Sequence, residues 1–260
     1  MNKKSLLAFL LLIHLFLLID CSTSENIILY RQVTGLIKTN SYLLYDQRSK
    51  EGALFDVGGP VDSLESIIQR EGIKLKYIFI THCHVDHVFG VPAVKNRYPE
   101  VKTCFSREEY EDTRIYSDWE KNMNPVMVAA MKKTPGMVEL MNFDYRLLGK
   151  PDIELTDNRF YKLGKLKIKT FLTPGHSRGS ICFYANGVLL SGDVLFYRQV
   201  GRTDLPKSGS KEDIIKSVRG LYASLTDETK VYPGHGRFTD IGTEKKENEE
   251  VSLNTVHLKN

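Results

Sequence analysis

Residues 81–87 read Thr-His-Cys-His-Val-Asp-His and set four ligand-type side chains, His82, His84, Asp86 and His87, directly after the apolar run Leu75 to Ile80. Imidazoles and a carboxylate at that density point to a metal centre. Alternate residues of an extended segment face the same side, so His82, His84 and Asp86 are expected to converge while Cys83 and Val85 turn away. His87 joins them if the chain bends into a helix. Three more candidates stand in small-residue turns after β-like runs: His176 in Thr-Pro-Gly-His-Ser-Arg-Gly-Ser, Asp193 in Leu-Leu-Ser-Gly-Asp, and His235 in Val-Tyr-Pro-Gly-His-Gly. Five of the chain's seven histidines fall in these segments, a concentration that unrelated loop histidines do not produce. Seven ligands are too many for one ion with an open position. They suit two ions about 3.5 to 4 Å apart sharing a carboxylate, the geometry of metal-assisted hydrolysis.

The ordered set His82-x-His84-x-Asp86-His87, His176, Asp193 and His235 resembles the metallo-β-lactamase superfamily, and most closely its glyoxalase II-like (hydroxyacylglutathione hydrolase-like) subgroup, over roughly Ile27 to Gly242. The resemblance implies that His82, His84 and His176 hold one divalent ion, that Asp86, His87 and His235 hold a second, and that Asp193 bridges them. Zinc is the expected metal, although the same donors suit iron and manganese. The implied fold is α+β, a four-layer αβ/βα sandwich with the metals at one edge between the sheets. Sequence pattern alone supports only mixed α and β.

Two divalent cations bring the pKa of a shared water toward about 7, so hydroxide at neutral pH would attack a carbonyl carbon. Asp86 is the expected catalytic residue, orienting that nucleophile and accepting its proton. A thiolate leaves without a strong general acid, because a thiol pKa lies near 8.5. No Ser-His or Cys-His pair stands outside the ligand set. The expected reaction is hydrolysis of a small-molecule thioester such as an S-acylglutathione. Arg202, in Val-Gly-Arg-Thr-Asp-Leu-Pro, matches a basic substrate-contacting position and would pair with a carboxylate.

The chain departs from the longer glyoxalase II type in two ways. Only 25 residues follow His235, so its helical C-terminal domain is not expected, and Gly236-Arg237 stands where that type has an acidic residue and a glutathione-contacting tyrosine. One alternative is a persulfide dioxygenase with a single iron on His82, His176 and Asp193, because Thr81-His82-Cys83-His84 and Gly201-Arg202-Thr203-Asp204 also resemble that branch. A lactonase, using the same dinuclear site, is another. True β-lactamase activity is disfavoured, since the common zinc lactamases have a cysteine or no ligand where Asp193 stands.

Length and composition fit one enzyme domain: 260 residues, 42% hydrophobic and 26% charged, suffice for a single sizeable core. Residues 1–24 read as a signal peptide or anchor, with Lys3 and Lys4 before an apolar stretch from Leu6 to Ile19. The protein is therefore expected to be exported, secreted or periplasmic. Leu18-Ile19-Asp20-Cys21 resembles a lipoprotein box, so the expected membrane contact runs through an uncleaved leader or a lipidated Cys21. The net charge of +4 is mild, and the scattered lysines leave no nucleic-acid footprint. Cys83, Cys104 and Cys182 lack paired spacing, and Cys83 is expected to be a small buried hydrophobe.

The positioning elements are strands at Asn26 to Tyr30, Ser41 to Tyr45, Gly52 to Asp56 and Leu75 to Ile80, with helices over Val61 to Glu71 and Val88 to Tyr98. Residues 106–148 resemble a helical insertion, with Tyr110, Ile115, Trp119, Met123, Met127, Met131, Met137 and Met141 spread through charged sequence. Such residues usually make a core face; if they line the site, they form an adaptable apolar wall. Strands return at Phe160 to Leu163, Leu166 to Leu172, Ser180 to Tyr184 and Val188 to Leu190. Ser210 and Asp213 form an expected capping box, opening a helix with Ile214, Ile215, Val218, Leu221 and Leu225 toward a core. Lys230 to Tyr232 then delivers His235. The main domain spans 25–242, and the charged tail 243–260 is expected to fray.

Overall fold

Along β2 (Thr39–Asp46) successive side chains enter different cores: Tyr42 and Leu44 pack between two sheets, while Leu43 and Tyr45 pack under helices. The same alternation, forced by the two-residue repeat of a strand, recurs in β3 (Glu51–Phe55), where Ala53 and Phe55 face the second sheet and Leu54 faces the helices. The structure, a computed structural model, describes residues 27–251. The leader, with Cys21, and residues 252–260 lie outside the described residues.

The first sheet runs β1 (Ile27–Thr34), β2, β3, β4 (Lys74–Phe79), β5 (Lys102–Ser106), β6 (Ile153–Leu155) in spatial order. Its first three strands are antiparallel. From β3 onward pairing is parallel, which needs crossover connections. Helix α1 (Asp62–Glu71) makes the first, and α2 (Val85–Val88) with α3 (Val91–Arg97) makes the second. Four helices, α4 (Arg107–Ser117), α5 (Trp119–Asn122), α6 (Pro125–Lys133) and α7 (Met137–Met141), with a 3-10 turn at Tyr145–Leu147, fill the connection from β5 to β6.

The second sheet contains β7 (Phe160–Leu163), β8 (Leu166–Leu172), β9 (Ile181–Ala185), β10 (Val188–Gly192), β13 (Lys230–Pro233) and β14 (Thr239–Asp240), with a small hairpin of β11 (Leu195–Phe196) and β12 (Gln199–Val200) beside it. Helix α8 (Lys211–Ser224) covers its outer face through Ile214, Val218 and Leu221. It starts at the Ser210–Asp213 capping box, both halves of which are formed. The molecule is thus a four-layer αβ/βα sandwich. Its central seam is aromatic: Phe55, Phe79 and Phe183 meet across the sheets with ring centroids 5.0 to 5.3 Å apart.

Two elements differ from the sequence pattern. The helix expected over Val88 to Tyr98 is two helices, broken at Gly90, because Pro92 has no N–H to continue a helix from Val88. The tail does not fray at 243: α9 (Ile241–Glu247) is capped by Asp240, which accepts from the Thr243 N–H at 2.8 Å. Glu244, which the charged sequence around it marks for solvent, is fully buried and accepts from the Arg198 N–H, the Thr239 hydroxyl and the Asn248 amide. No helix among the described residues is long and apolar enough to cross a membrane.

Truncating the seam measures what holds the sheets together. Phe183→Ala, which leaves a cavity between Phe55 and Phe79, is expected to cost about 3–5 kcal/mol of unfolding free energy, read from the denaturant midpoint at unchanged slope.

Candidate metal centre

All seven sequence-predicted side chains come to one edge of the sandwich, on loops that leave strand ends. His82 and His84 sit in the extended segment after β4, but the chain turns helical at Val85, one residue before Asp86. The extended alternation expected to carry Asp86 therefore stops at His84, and Asp86 sits with His87 in α2. His176 follows β8, Asp193 follows β10, and His235 follows β13.

The side chains form three overlapping groups able to hold a cation: His82, His84 and His176; His82, His87 and Asp193; Asp86, His87 and His235. His176 Nε2 lies 2.9 Å from His84 Nδ1 and 3.2 Å from His82 Nε2. On the other side, His235 Nε2 is 3.2 Å and His87 Nε2 3.5 Å from Asp86 Oδ2. Asp193 stands between the two sets: Oδ1 is 3.4 Å from His87, and Oδ2 is 3.5 Å from His235 and 3.6 Å from His176. Gly234 makes this approach possible, since a Cβ there would collide with Asp193 Oδ1 and come within 2.7 Å of His87 Cε1.

Hydrogen bonds behind the rings fix which nitrogen carries the lone pair. His176 Nδ1 donates to the Arg202 carbonyl at 2.9 Å, leaving Nε2 bare toward the centre. His87 Nδ1 donates to Asp56 Oδ2 at 2.8 Å, turning Nε2 toward the centre. The Thr81 hydroxyl donates to the same Asp56 oxygen at 2.9 Å and so accepts from His82 Nδ1 at 3.0 Å. Asp56, taken by sequence pattern as a strand end, is the hub of this arrangement. Its other oxygen accepts the Thr81 N–H at 2.8 Å, and its backbone sits at φ 50, in the left-handed region that Asp tolerates. A lone Asp after a strand gives no sequence signal of such a role.

Glu109, at the start of α4, also escaped the sequence reading. It accepts from the Cys83 N–H at 2.6 Å and the Gly179 N–H at 3.0 Å, tying the His82–His84 loop to the loop carrying His176. Burial pushes its carboxyl up, with the Ser177, Cys83 and Gly179 donors opposing. Cys83 itself turns into the core beneath the helices, and burial pushes its thiol well up. Arg202 reaches the cavity beside the centre, but Asp204 grips its guanidinium at 2.6 and 2.7 Å.

The electrostatics divide the cluster. Burial drives His82 far below the ordinary imidazole range, takes His84 down to about 3 and lowers His176, so these three are neutral donors. At His87, burial also opposes charge, but Asp193, Asp86 and Asp56 outweigh it and raise the pKa well above its usual value. Burial would lift Asp193, yet His87 and the other histidines hold it down at about 2. Asp86 is likewise pushed up by burial and brought down further by His87 and His235. His87 Nε2 and Asp193 Oδ1 nevertheless have no hydrogen-bond partner although both are buried. Bare nitrogens about 3 Å apart and orphaned buried polar atoms are unfavourable without a cation among them. The donor set, imidazole and carboxylate, fits divalent metal ions.

A four-layer αβ/βα sandwich with a His/Asp cluster of this kind on the loops at one edge defines a metallo-hydrolase class of scaffold. The chain belongs to the metallo-β-lactamase superfamily, whose family model matches residues 34–235. It is 30% identical over 212 residues to the hydroxyacylglutathione hydrolase GloC of Haemophilus influenzae, covering 80% of this chain and 91% of that protein. Among solved structures it resembles the BLEG-1 B3 metallo-β-lactamase, with a TM-score of 0.64, 30% identity, and coverage of 86% of this chain and 99% of that one. It also resembles TTHA1623 in a di-iron-bound form, with a TM-score of 0.64, 26% identity and coverage of 85% and 98%.

The hub role of Asp56 is open to direct test. Asp56→Ala should weaken metal affinity by about 10–100-fold, measured by chelator competition on protein whose circular dichroism is unchanged. Wild-type affinity in that variant would show that the His82 and His87 rings are oriented by packing alone.

Proposed function

We propose that the protein is a dinuclear metal-dependent hydrolase that cleaves thioesters, with S-acylglutathiones as the reference substrates and zinc as the expected metal. The observation that carries this reading is the position of Asp193, within 3.6 Å of histidines from both ligand sets. His82, His84 and His176 would hold one ion, Asp86, His87 and His235 the other, and Asp193 both. Similarity to a hydroxyacylglutathione hydrolase and to a protein in a di-iron-bound form supports it.

A bound pair of divalent ions acidifies water and polarises a carbonyl oxygen. The protein's own groups supply placement. Asp86 Oδ2 accepts from the Thr39 hydroxyl at 3.0 Å, which fixes the carboxylate at the cavity floor. Its pKa is held low, so Asp86 orients an attacking oxygen and takes its proton only in passing. The backbone carbonyl of Arg202 keeps the His176 ring in one orientation. No cysteine among the described residues competes as nucleophile, because Cys83, Cys104 and Cys182 are all buried with raised pKa values. As part of the same proposal, the activity is exported by the leader read in residues 1–24, with any membrane attachment through that leader or Cys21.

Metal analysis of protein purified without chelator tests the assignment first. About two ions per chain and thiol release from S-acylglutathiones are expected, with both lost on chelation. Asp193→Ala should lower the metal content and cut turnover by at least about 100-fold. One iron per chain, with oxygen uptake on a persulfide and no thioester cleavage, would replace the hydrolase by the dioxygenase.

A further inference from the structure

A cavity of about 590 Å³ opens beside His84, Asp86, His176, Asp193 and His235. Its remaining wall comes chiefly from the helices between β5 and β6: Ile115, Trp119, Met123, Met127, Met131 and Met141. The indole N–H of Trp119 already donates to Asn142 at 3.1 Å and asks nothing of a ligand. Met127 and Met131 lie one turn apart on α6, so they share a face. None of the nine residues of α6 is buried, and both methionines are only half-buried. An amphipathic helix with an uncovered apolar stripe is stabilised by whatever apolar group covers it. Methionine, unbranched and polarizable, adapts to chains of different shape.

Charge narrows the class. Arg202 is the single Lys or Arg among the described residues lining the cavity, and Asp204 already occupies its guanidinium. A ligand carrying its own carboxylate into this chamber would meet only the Nη1 edge of a guanidinium already paired through Nε and Nη2 with Asp204, and a poorly paired buried charge is costly. The two halves of a thioester also differ. Hydrolysis adds the water oxygen to the acyl carbon and breaks the C–S bond, and the sulfur departs with the bonding electrons as a thiolate. The carboxylic acid formed gives up its proton to the thiolate or to solvent. Charge develops on the sulfur, so that half belongs toward the mouth, where water can solvate it.

We propose that this site selects thioesters whose acyl group is an uncharged aliphatic chain, seated against the Met and Trp wall of the helical insertion. The proposal rests on the thioester hydrolase reading and adds the substrate class to it.

Two substrate series on the metal-loaded, full-length protein test it: S-acylglutathiones from acetyl to octanoyl, and S-alkyl thioacetates from methyl to octyl. In the acyl series kcat/KM should rise about fourfold per methylene until the chamber is full, while the thioacetate series stays flat. Met131→Glu should flatten the acyl slope, and Met131→Leu should keep it. A flat acyl series with measurable acetylglutathione cleavage, or a slope found only in the thioacetates, overturns the proposal and leaves the hydrolase standing. If neither series is cleaved, the hydrolase reading fails, and calorimetric titration with straight-chain carboxylates from butanoate to decanoate decides the chamber. Binding that tightens with each methylene keeps the aliphatic class, and binding indifferent to length removes it.

Discussion

Five imidazoles and two carboxylates packed at one sheet edge are a constraint before they are a catalyst. The bare Nε2 atoms of His82 and His176 stand 3.2 Å apart, and His87 Nε2 and Asp193 Oδ1 are buried without a hydrogen-bond partner, an arrangement that is unfavourable unless positive charge lies among them. The polypeptide has to hold them there regardless, and much of the surrounding structure follows from that demand. Asp56 takes a left-handed backbone conformation to reach Thr81 and His87 together. Gly58 and Gly234 lack side chains where a Cβ would collide with the Asp86 carbonyl or the Asp193 carboxylate. Glu109 is buried, which disfavours its ionised form and raises its pKa, to knit the two loops carrying His82–His84 and His176.

The sandwich supplies the rigidity that makes such crowding tolerable. The ligand loops leave strands β4, β8, β10 and β13, so their origins are fixed by hydrogen-bonded sheets rather than by the loops themselves. The seam between sheets is filled by aromatic rings, which set the sheet separation and hence the distance from the β4 loop to the β10 loop. The opposite regime rules the insertion. Its helix α6 presents methionines and no buried residue, and so sets an adaptable wall beside a rigid set of side chains. Precision and tolerance are thus assigned to different layers of the fold.

The convergence of the seven His and Asp side chains was legible because imidazole and carboxylate at tight spacing have few other uses, and because each segment lies just after an apolar run. The strands were legible by their two-residue alternation. What stayed hidden depended on contacts between distant segments. Asp56 acts on residues 25 and 31 positions away, and Glu109 on Gly179, 70 positions away. Glu244 carried a misleading signal, since a charged run usually marks solvent, whereas here the distant Arg198 N–H joins Thr239 and Asn248, at either end of the same helix, on one carboxylate. The extended reading of residues 82–86 failed at Asp86 for a local reason: α2 begins at Val85 and rotates the carboxylate toward His87 and His235.

The division of charge inside the site bears on what chemistry it can support. Asp86 and Asp193 are held ionised and His82, His84 and His176 neutral, while the carboxylates around His87 and His235 raise the pKa of both, so the site favours positive charge among its ligand-type groups. Asp56 stands behind them, hydrogen-bonded to His87 and Thr81. Two divalent cations would leave a small positive surplus, enough to favour an anionic oxygen nucleophile and the negative charge that grows on a carbonyl oxygen. A further carboxylate ligand would erase that surplus and hold the ions more tightly while weakening their pull on substrate. With histidine rather than carboxylate at five of the seven positions, ions held there would keep more of their charge available to a reacting carbonyl.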